Sequence, residues 1–190
     1  MGQPKAWLPF GDETMLQRVV RLLSEVVSPI VVVAAPDQEV PPVPEDVLIV
    51  RDEQEGLGPL AGLAAGLRTV ERLADAAYAS SCDVPLIKPA FVKAVIEQLS
   101  DHELAIPREQ GYHHPLAAVY RTSLSERCER LLVEGRRRPF DLVTSSNACE
   151  IDVQSLRSVD PQLDSLRNAN TPEEYEALLL QSGDCRSARD

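Results

Sequence analysis

With 190 residues and 44% hydrophobic side chains, the chain is long enough to form one globular domain around a sizeable core. Lys and Arg number 19 against 30 Asp and Glu; the resulting formal charge of −11 repels a polyphosphate backbone over most of the surface and excludes a general nucleic-acid binder. A small phosphorylated ligand stays compatible with this total, because a few local cations and one metal ion reverse the field inside a cleft.

Residues 14–27 place Met15, Leu16, Val19, Val20, Leu22, Leu23 and Val26 at helical spacing, with Thr14 positioned as the cap. Residues 30–34 and 47–50 are short β-branched runs without alternation, bounded by proline-rich or charged turns. That pattern predicts central parallel strands buried on both faces. Between them, residues 37–46, with Pro41, Pro42 and Pro44, read as a surface connection. Residues 60–73 carry Leu60, Leu63, Ala64, Leu67, Val70 and Leu73 on one helical stripe and lead into a strand at 76–81. Pro89 opens a helix running to residue 99, and strands follow at 103–106 and 116–120. Helix and strand alternate, which predicts an α/β layered fold with a largely parallel sheet and a ligand beyond the carboxyl ends of its strands. Nothing divides the chain, so residues 1–190 are expected to be one domain with a frayed polar tail at 183–190.

Cys82, Cys128, Cys149 and Cys185 contain no CxxC pair and read as reduced packing thiols. No apolar run approaches the ~20 residues that span a bilayer. The N-terminus lacks the charged-then-apolar layout of a secretory signal, so the cytoplasm is the expected compartment.

Five segments could carry chemistry, and each also has a purely structural reading. The run from Arg51 and Asp52 to Gly58, Pro59 and Gly62 follows a strand and enters a helix, offering backbone N–H groups to an anion or base edge; it also suits a plain turn and cap. Asp83, in Ser81-Cys82-Asp83-Val84-Pro85, ends an apolar strand; it suits Mg²⁺, which takes one or two protein carboxylates plus substrate phosphates, or it satisfies turn amides beside Pro85. Lys5 near the start is a point cation for phosphate, or a solvated terminal lysine. His113-His114-Pro115 lacks the second cluster a zinc site needs, while Arg136, Arg137 and Arg138 suit either phosphate or the dipole of a preceding helix end. In Asn168-Ala169-Asn170-Thr171-Pro172-Glu173-Glu174, Thr171 and Glu174 form a capping box. The two asparagines are not needed for it and could serve a ligand or fix the turn.

Taken in order, MGQPKAWLPFG, VRDEQEGLGPLAGLAAGL, SCDVP, HHPLAAVY, EGRRRP and LRNANTPEEY closely resemble the molybdenum cofactor guanylyltransferases, and the likeness covers essentially the whole chain. The resemblance implies a Rossmann-like nucleotidyltransferase fold, with a mostly parallel sheet and helices on both faces. It further implies Mg²⁺-dependent transfer of GMP from GTP to the phosphate of the molybdenum-pterin cofactor, with release of pyrophosphate. By position, Lys5 corresponds to the family's phosphate-binding lysine, Asp52 to its nucleotide-binding aspartate and Asp83 to its Mg²⁺-holding aspartate. Gly58, Pro59 and Gly62 fall in the turn associated with guanine, and Asn168 and Asn170 match paired asparagines near the pterin-side cleft. Implied partners are the two substrates and molybdoenzymes or cofactor-handling proteins, without nucleic acid or membrane. Family members normally carry a strand and a glycine-rich loop of the type LAGGxSxRMG ahead of the lysine, and this chain begins at the final Met-Gly. The expectation is that the natural product starts upstream. Ala34 stands where some members use an asparagine, removing that side-chain contact. Two alternatives remain open: cytidylyl or other nucleotidyl transfer to a small phosphorylated acceptor, and a non-catalytic binding module.

Overall fold

The computed structural model describes residues 4–52 and 58–183. Met1-Gly2-Gln3, residues 53–57 of the glycine-rich turn, Cys185 and the tail beyond residue 183 lie outside them.

The short strands β1 (Pro9–Phe10) and β2 (Glu13–Thr14) form an antiparallel hairpin around Gly11, whose φ of 67° is one that favours glycine. It delivers the chain to helix α1 (Met15–Ser24), where the Thr14 hydroxyl accepts from the Gln17 N–H and the Gln17 side chain accepts from the Thr14 N–H. The apolar stripe of this helix is buried, as its spacing predicts. Strands β3 (Val31–Ala34) and β4 (Leu48–Arg51) pair in parallel, with Val31 opposite Leu48. Helix α2 (Pro59–Val70) returns to strand β5 (Ala76–Ser80), and α3 (Pro89–Glu97) leads to β6 (Leu104–Glu109), β7 (Tyr112–His113) and β8 (Ala117–Arg121). The rest of the described chain comprises α4 (Ser125–Val133), α5 (Pro139–Thr144), β9 (Ala148–Asp152), α6 (Val153–Leu156) and α7 (Pro172–Ser182).

The expected mostly parallel sheet is corrected to a mixed one. A five-stranded sheet runs β5-β8-β6-β7, with β9 beside β6; β8 is antiparallel to both β5 and β6, and β9 is parallel to β6. The reason lies in the connections. A parallel return needs a crossover of roughly a dozen residues or more, whereas β6 reaches β8 through a short hairpin that can only reverse direction. As a result β5, β6 and β9 share a direction and present their carboxyl ends on one edge.

The β3–β4 pair forms a separate sheet, and its strands are not buried on both faces: Leu48 and Ile49 are 39% and 46% exposed. Helices nevertheless bridge the two sheets. On one face, Gly66 of α2 approaches β3 so closely that a Cβ there would lie 3.3 Å from Val33 Cγ2, while the same helix packs on Ala77 and Ala79 of β5. On the other, Ile30 and Tyr78 both pack against the Val19 and Leu23 cluster of α1. Among the described residues Cys82, Cys128 and Cys149 are free thiols, and burial pushes Cys128 up to about 12. No helix among them is long and apolar enough to cross a membrane.

Candidate active site

β5 ends at Ser80, and the chain turns through Ser81 and Cys82 to Asp83, only 5% exposed. A carboxylate so buried needs partners, and Asp83 has them on both oxygens. Its Oδ2 lies 2.6 Å from Lys5 Nζ, and its Oδ1 accepts from Asn168 Nδ2 at 2.8 Å and from the Ser81 hydroxyl. The Asp83 carbonyl also accepts from the backbone N–H of Ala169 at 2.9 Å. Lys5 donates a second bond, to Asn170 Oδ1 at 2.6 Å. Lys5, Asp83, Asn168 and Asn170 therefore meet in one cluster, across sequence separations of 78, 85 and 165 residues.

Local structure explains each arrival. Lys5 opens a single 3-10 turn, Lys5–Trp7, held where the Trp7 indole N–H donates to the Glu39 carbonyl at 3.1 Å. Asn168 and Asn170 leave a loop tied down from both ends. Upstream, Lys88 Nζ reaches Asp160 Oδ1 at 2.6 Å and Asp164 Oδ2 at 3.1 Å. Downstream, the capping box of α7 uses Glu174 Oε2 to accept from the N–H groups of Asn170 at 2.8 Å and Thr171 at 3.0 Å. Ala169 is fully buried beside Phe10, Met15 and Leu178, while the flanking Asn168 is partly buried and Asn170 exposed.

Asp52 sits just past β4, half-buried, and its N–H donates to the Ala34 carbonyl at 2.8 Å, continuing the β3–β4 ladder towards its carboxyl end. Gly58 caps α2 at φ 78° and ψ −174°, a backbone essentially reserved for glycine, and Pro59 occupies the first helical turn. A Cβ on Gly58 would lie 3.3 Å from the Arg137 carbonyl, and one on Gly62 would touch Val33 at 4.0 Å. Arg137 thus packs against the entry to α2, and the run lies outside the last turn of a helix: α4 ends before Gly135, and Arg136 pairs with Asp141 at 3.1 Å.

A cleft of about 460 Å³ adjoins the cluster, lined by Tyr112, His114, Arg167, Asn168, Asn170 and Glu174. Among the described residues His114 Nε2 has no hydrogen-bond partner and is buried there, and burial lowers its pKa below the ordinary histidine value. His113 instead faces Glu150, at 2.8 Å. Among the described residues no group of 3 or more His, Cys, Asp or Glu could hold a metal ion. Sequence reading missed Ser81, Glu174 and Lys88 as organisers of the site. Only Glu174 had a signal, its capping-box spacing.

The buried strand-end carboxylate faces an ammonium at the carboxyl edge of a mixed sheet layered with helices, and the fold is of the α/β nucleotidyltransferase kind. The backbone matches the crystal structure of molybdopterin-guanine dinucleotide biosynthesis protein A from Archaeoglobus fulgidus with a TM-score of 0.79, over 97% of this chain and 93% of that one at 22% identity. It also matches 2-C-methyl-D-erythritol 4-phosphate cytidylyltransferase from Thermus thermophilus with a TM-score of 0.69, over 94% and 95% of the two chains at 17% identity. Likeness at these identities establishes the fold.

In sequence, the chain is 38% identical over 184 residues to a protein of Mycobacterium avium named "Probable molybdenum cofactor guanylyltransferase", covering 94% of this chain and 88% of that relative. A protein of Mycobacterium tuberculosis with the same name is 36% identical over 162 residues, 83% of this chain and 79% of its own length. Residues 1–147 match the MobA-like NTP transferase domain, and the chain belongs to that family.

Proposed function

We propose that the chain transfers GMP from GTP to the phosphate of the molybdenum-pterin cofactor, acting as a single nucleotidyltransferase domain over residues 1–190. The observation that carries this reading is the buried Asp83 carboxylate in contact with the Lys5 ammonium at 2.6 Å, in a chain 36 to 38% identical to relatives named for that activity. An oxygen of the acceptor phosphate attacks the α-phosphorus of GTP, the bond to the β-phosphate oxygen breaks, and pyrophosphate leaves. The acceptor brings its own oxyanion, so positioning and charge neutralisation supply the acceleration without a protein nucleophile.

The residues present fit Mg²⁺. Asp83 supplies one hard oxygen ligand, its Oδ2 already faces a cation, and the remaining positions suit water and substrate phosphates. When bound, the ion supplies Lewis-acid stabilisation of phosphate charge. Lys5 neutralises phosphate oxygens as a point cation, Asp52 binds the nucleotide beyond β4, and Gly58, Pro59 and Gly62 let the α2 entry approach guanine closely. Asn168 and Asn170 border the cleft that would take the acceptor. The reading places the enzyme in the cytoplasm with GTP and the pterin as substrates, molybdoenzymes or cofactor-handling proteins downstream, and neither nucleic acid nor membrane as partner.

Parallel turnover of GTP and CTP with the pterin acceptor tests the reaction. GTP-dependent pyrophosphate release is expected, and activity with CTP alone would end the guanine assignment. Asp83→Asn, nearly isosteric without the charge, should lower Mg²⁺-dependent activity by several orders of magnitude with the fold intact. Unchanged activity and Mg²⁺ dependence would remove Asp83 from the metal site.

A further inference from the structure

We infer that Asn168 is a positioning residue: it acts through Asp83, turning that carboxylate towards the cation, rather than by contacting the acceptor. The inference rests on the transfer reaction proposed above and assigns Asn168 a role that the sequence pattern does not.

The geometry is that of a three-residue clamp. Ala169 is buried in the core at 0% exposure, between the partly buried Asn168 and the exposed Asn170. Asn168 Nδ2 donates to Asp83 Oδ1 at 2.8 Å, and the next residue donates its backbone N–H to the Asp83 carbonyl at 2.9 Å. Two parallel bonds, one to the side chain and one to the main chain of the same residue, fix both the position and the rotation of the carboxylate. The Ser81 hydroxyl adds a second donor to Oδ1. With Oδ1 saturated by neutral donors, Oδ2 is the oxygen left for a cation, and Lys5 Nζ stands there at 2.6 Å. Asn170 has a different task. Its Oδ1 accepts from that same ammonium at 2.6 Å, so it holds Lys5 and not Asp83. The two asparagines therefore divide the site between the carboxylate and the ammonium.

A carboxylate held at one oxygen presents the other without rotational loss, and partners that orient a metal-binding group typically contribute about 10- to 100-fold in metal affinity. Removing the Asn168 amide frees the carboxylate to rotate, which weakens cation binding before any acceptor is present.

The test is the enzyme's Mn²⁺ affinity, read by electron paramagnetic resonance as the loss of free-Mn²⁺ signal beyond that caused by a non-hydrolysable α,β-methylene GTP analogue alone, without the pterin. Asn168→Ala and the near-isosteric Asn168→Leu should both weaken Mn²⁺ roughly tenfold or more. Asn170→Ala releases Lys5 rather than Asp83 and should weaken Mn²⁺ less than either Asn168 variant. This split separates positioning from a general loosening of the segment, which would weaken all three variants alike. Native Mn²⁺ affinity in both Asn168 variants, with a raised KM for the pterin, would overturn the inference and return Asn168 to the acceptor. Asp83→Asn in the same assay should lose Mn²⁺ binding. If it does and the Asn168 variants do not, only the positioning role falls; if Asp83→Asn binds Mn²⁺ normally, the transfer reading falls with it.

Discussion

Lys88→Met isolates the ion cluster that holds the loop leading into Asn168 and Asn170. In the native protein Asp160 is fully buried; its Oδ1 faces Lys88 Nζ at 2.6 Å and its Oδ2 accepts from the Ser165 N–H at 2.8 Å. Asp164 faces the same ammonium at 3.1 Å but keeps Gln181 at 2.7 Å and Arg167 at 3.3 Å when Lys88 is lost. The damage therefore concentrates on Asp160, left buried without its cation and with only the Ser165 and Asp164 donors. Breaking a fully buried pair costs about 3 to 5 kcal/mol; the Lys88 side chain is 37% exposed and screened by water, so about 2 to 3 kcal/mol is expected at pH 7. Burial alone would raise the pKa of Asp160 and Asp164, but the Lys88 ammonium and the surrounding N–H donors outweigh it and hold both below the ordinary aspartate value. Their stabilisation is then present above the unfolded value of about 3.9 and lost as pH falls from there through the lower folded values. Burial lowers the Lys88 pKa, but the two carboxylates outweigh it and leave the value raised, so its share is present below the unfolded lysine value of about 10.4 and lost as pH rises through the folded one. Urea unfolding at pH 7 and at pH 3.5, followed by the single tryptophan, Trp7, reads the difference. The gap between native and Lys88→Met should be large at pH 7 and narrow in acid. Equal stability at pH 7, or a gap that does not change with pH, would refute the electrostatic account.

Other substitutions separate binding from chemistry. Asp52→Ala should raise the KM for GTP more than it lowers kcat, because a base- or ribose-binding carboxylate acts alike in ground and transition states; a large kcat loss at saturating GTP with KM unchanged would contradict this. Gly58→Ala places a side chain at φ 78° with its Cβ 3.3 Å from the Arg137 carbonyl, and should cost about 1 to 3 kcal/mol in thermal or urea unfolding while weakening GTP binding. Native stability and affinity would show that the α2 entry tolerates a Cβ.

Periodicity revealed the helices because a buried helical stripe is a property of the helix itself. The stripe over Met15, Leu16, Val19, Val20 and Leu23 and the Thr14 cap were legible, and so was the capping box at Thr171 and Glu174. Strand direction and burial were not, since they depend on neighbours. Ala117 to Arg121 reads the same whether it runs with β5 or against it, and only the short hairpin after β6 forces reversal. Residues 48–50 carry the composition of a strand buried on both faces, yet Leu48 and Ile49 remain exposed because burial requires layers on both sides. The site divides along the same line. Asp83 was legible from its position at a strand end before Pro85, a local signal, and Lys5 and Asn170 from their order among the motifs. Neither signal says that one ammonium bridges Asp83 and Asn170. Lys88, followed by the helix-opening Pro89, looks like surface charge, whereas its partners Asp160 and Asp164 lie more than 70 residues away and are buried. Residues that hold a site in place satisfy one another in three dimensions, whereas residues that meet substrate must stand at strand ends and turns. The second requirement leaves a local trace, and the first leaves none.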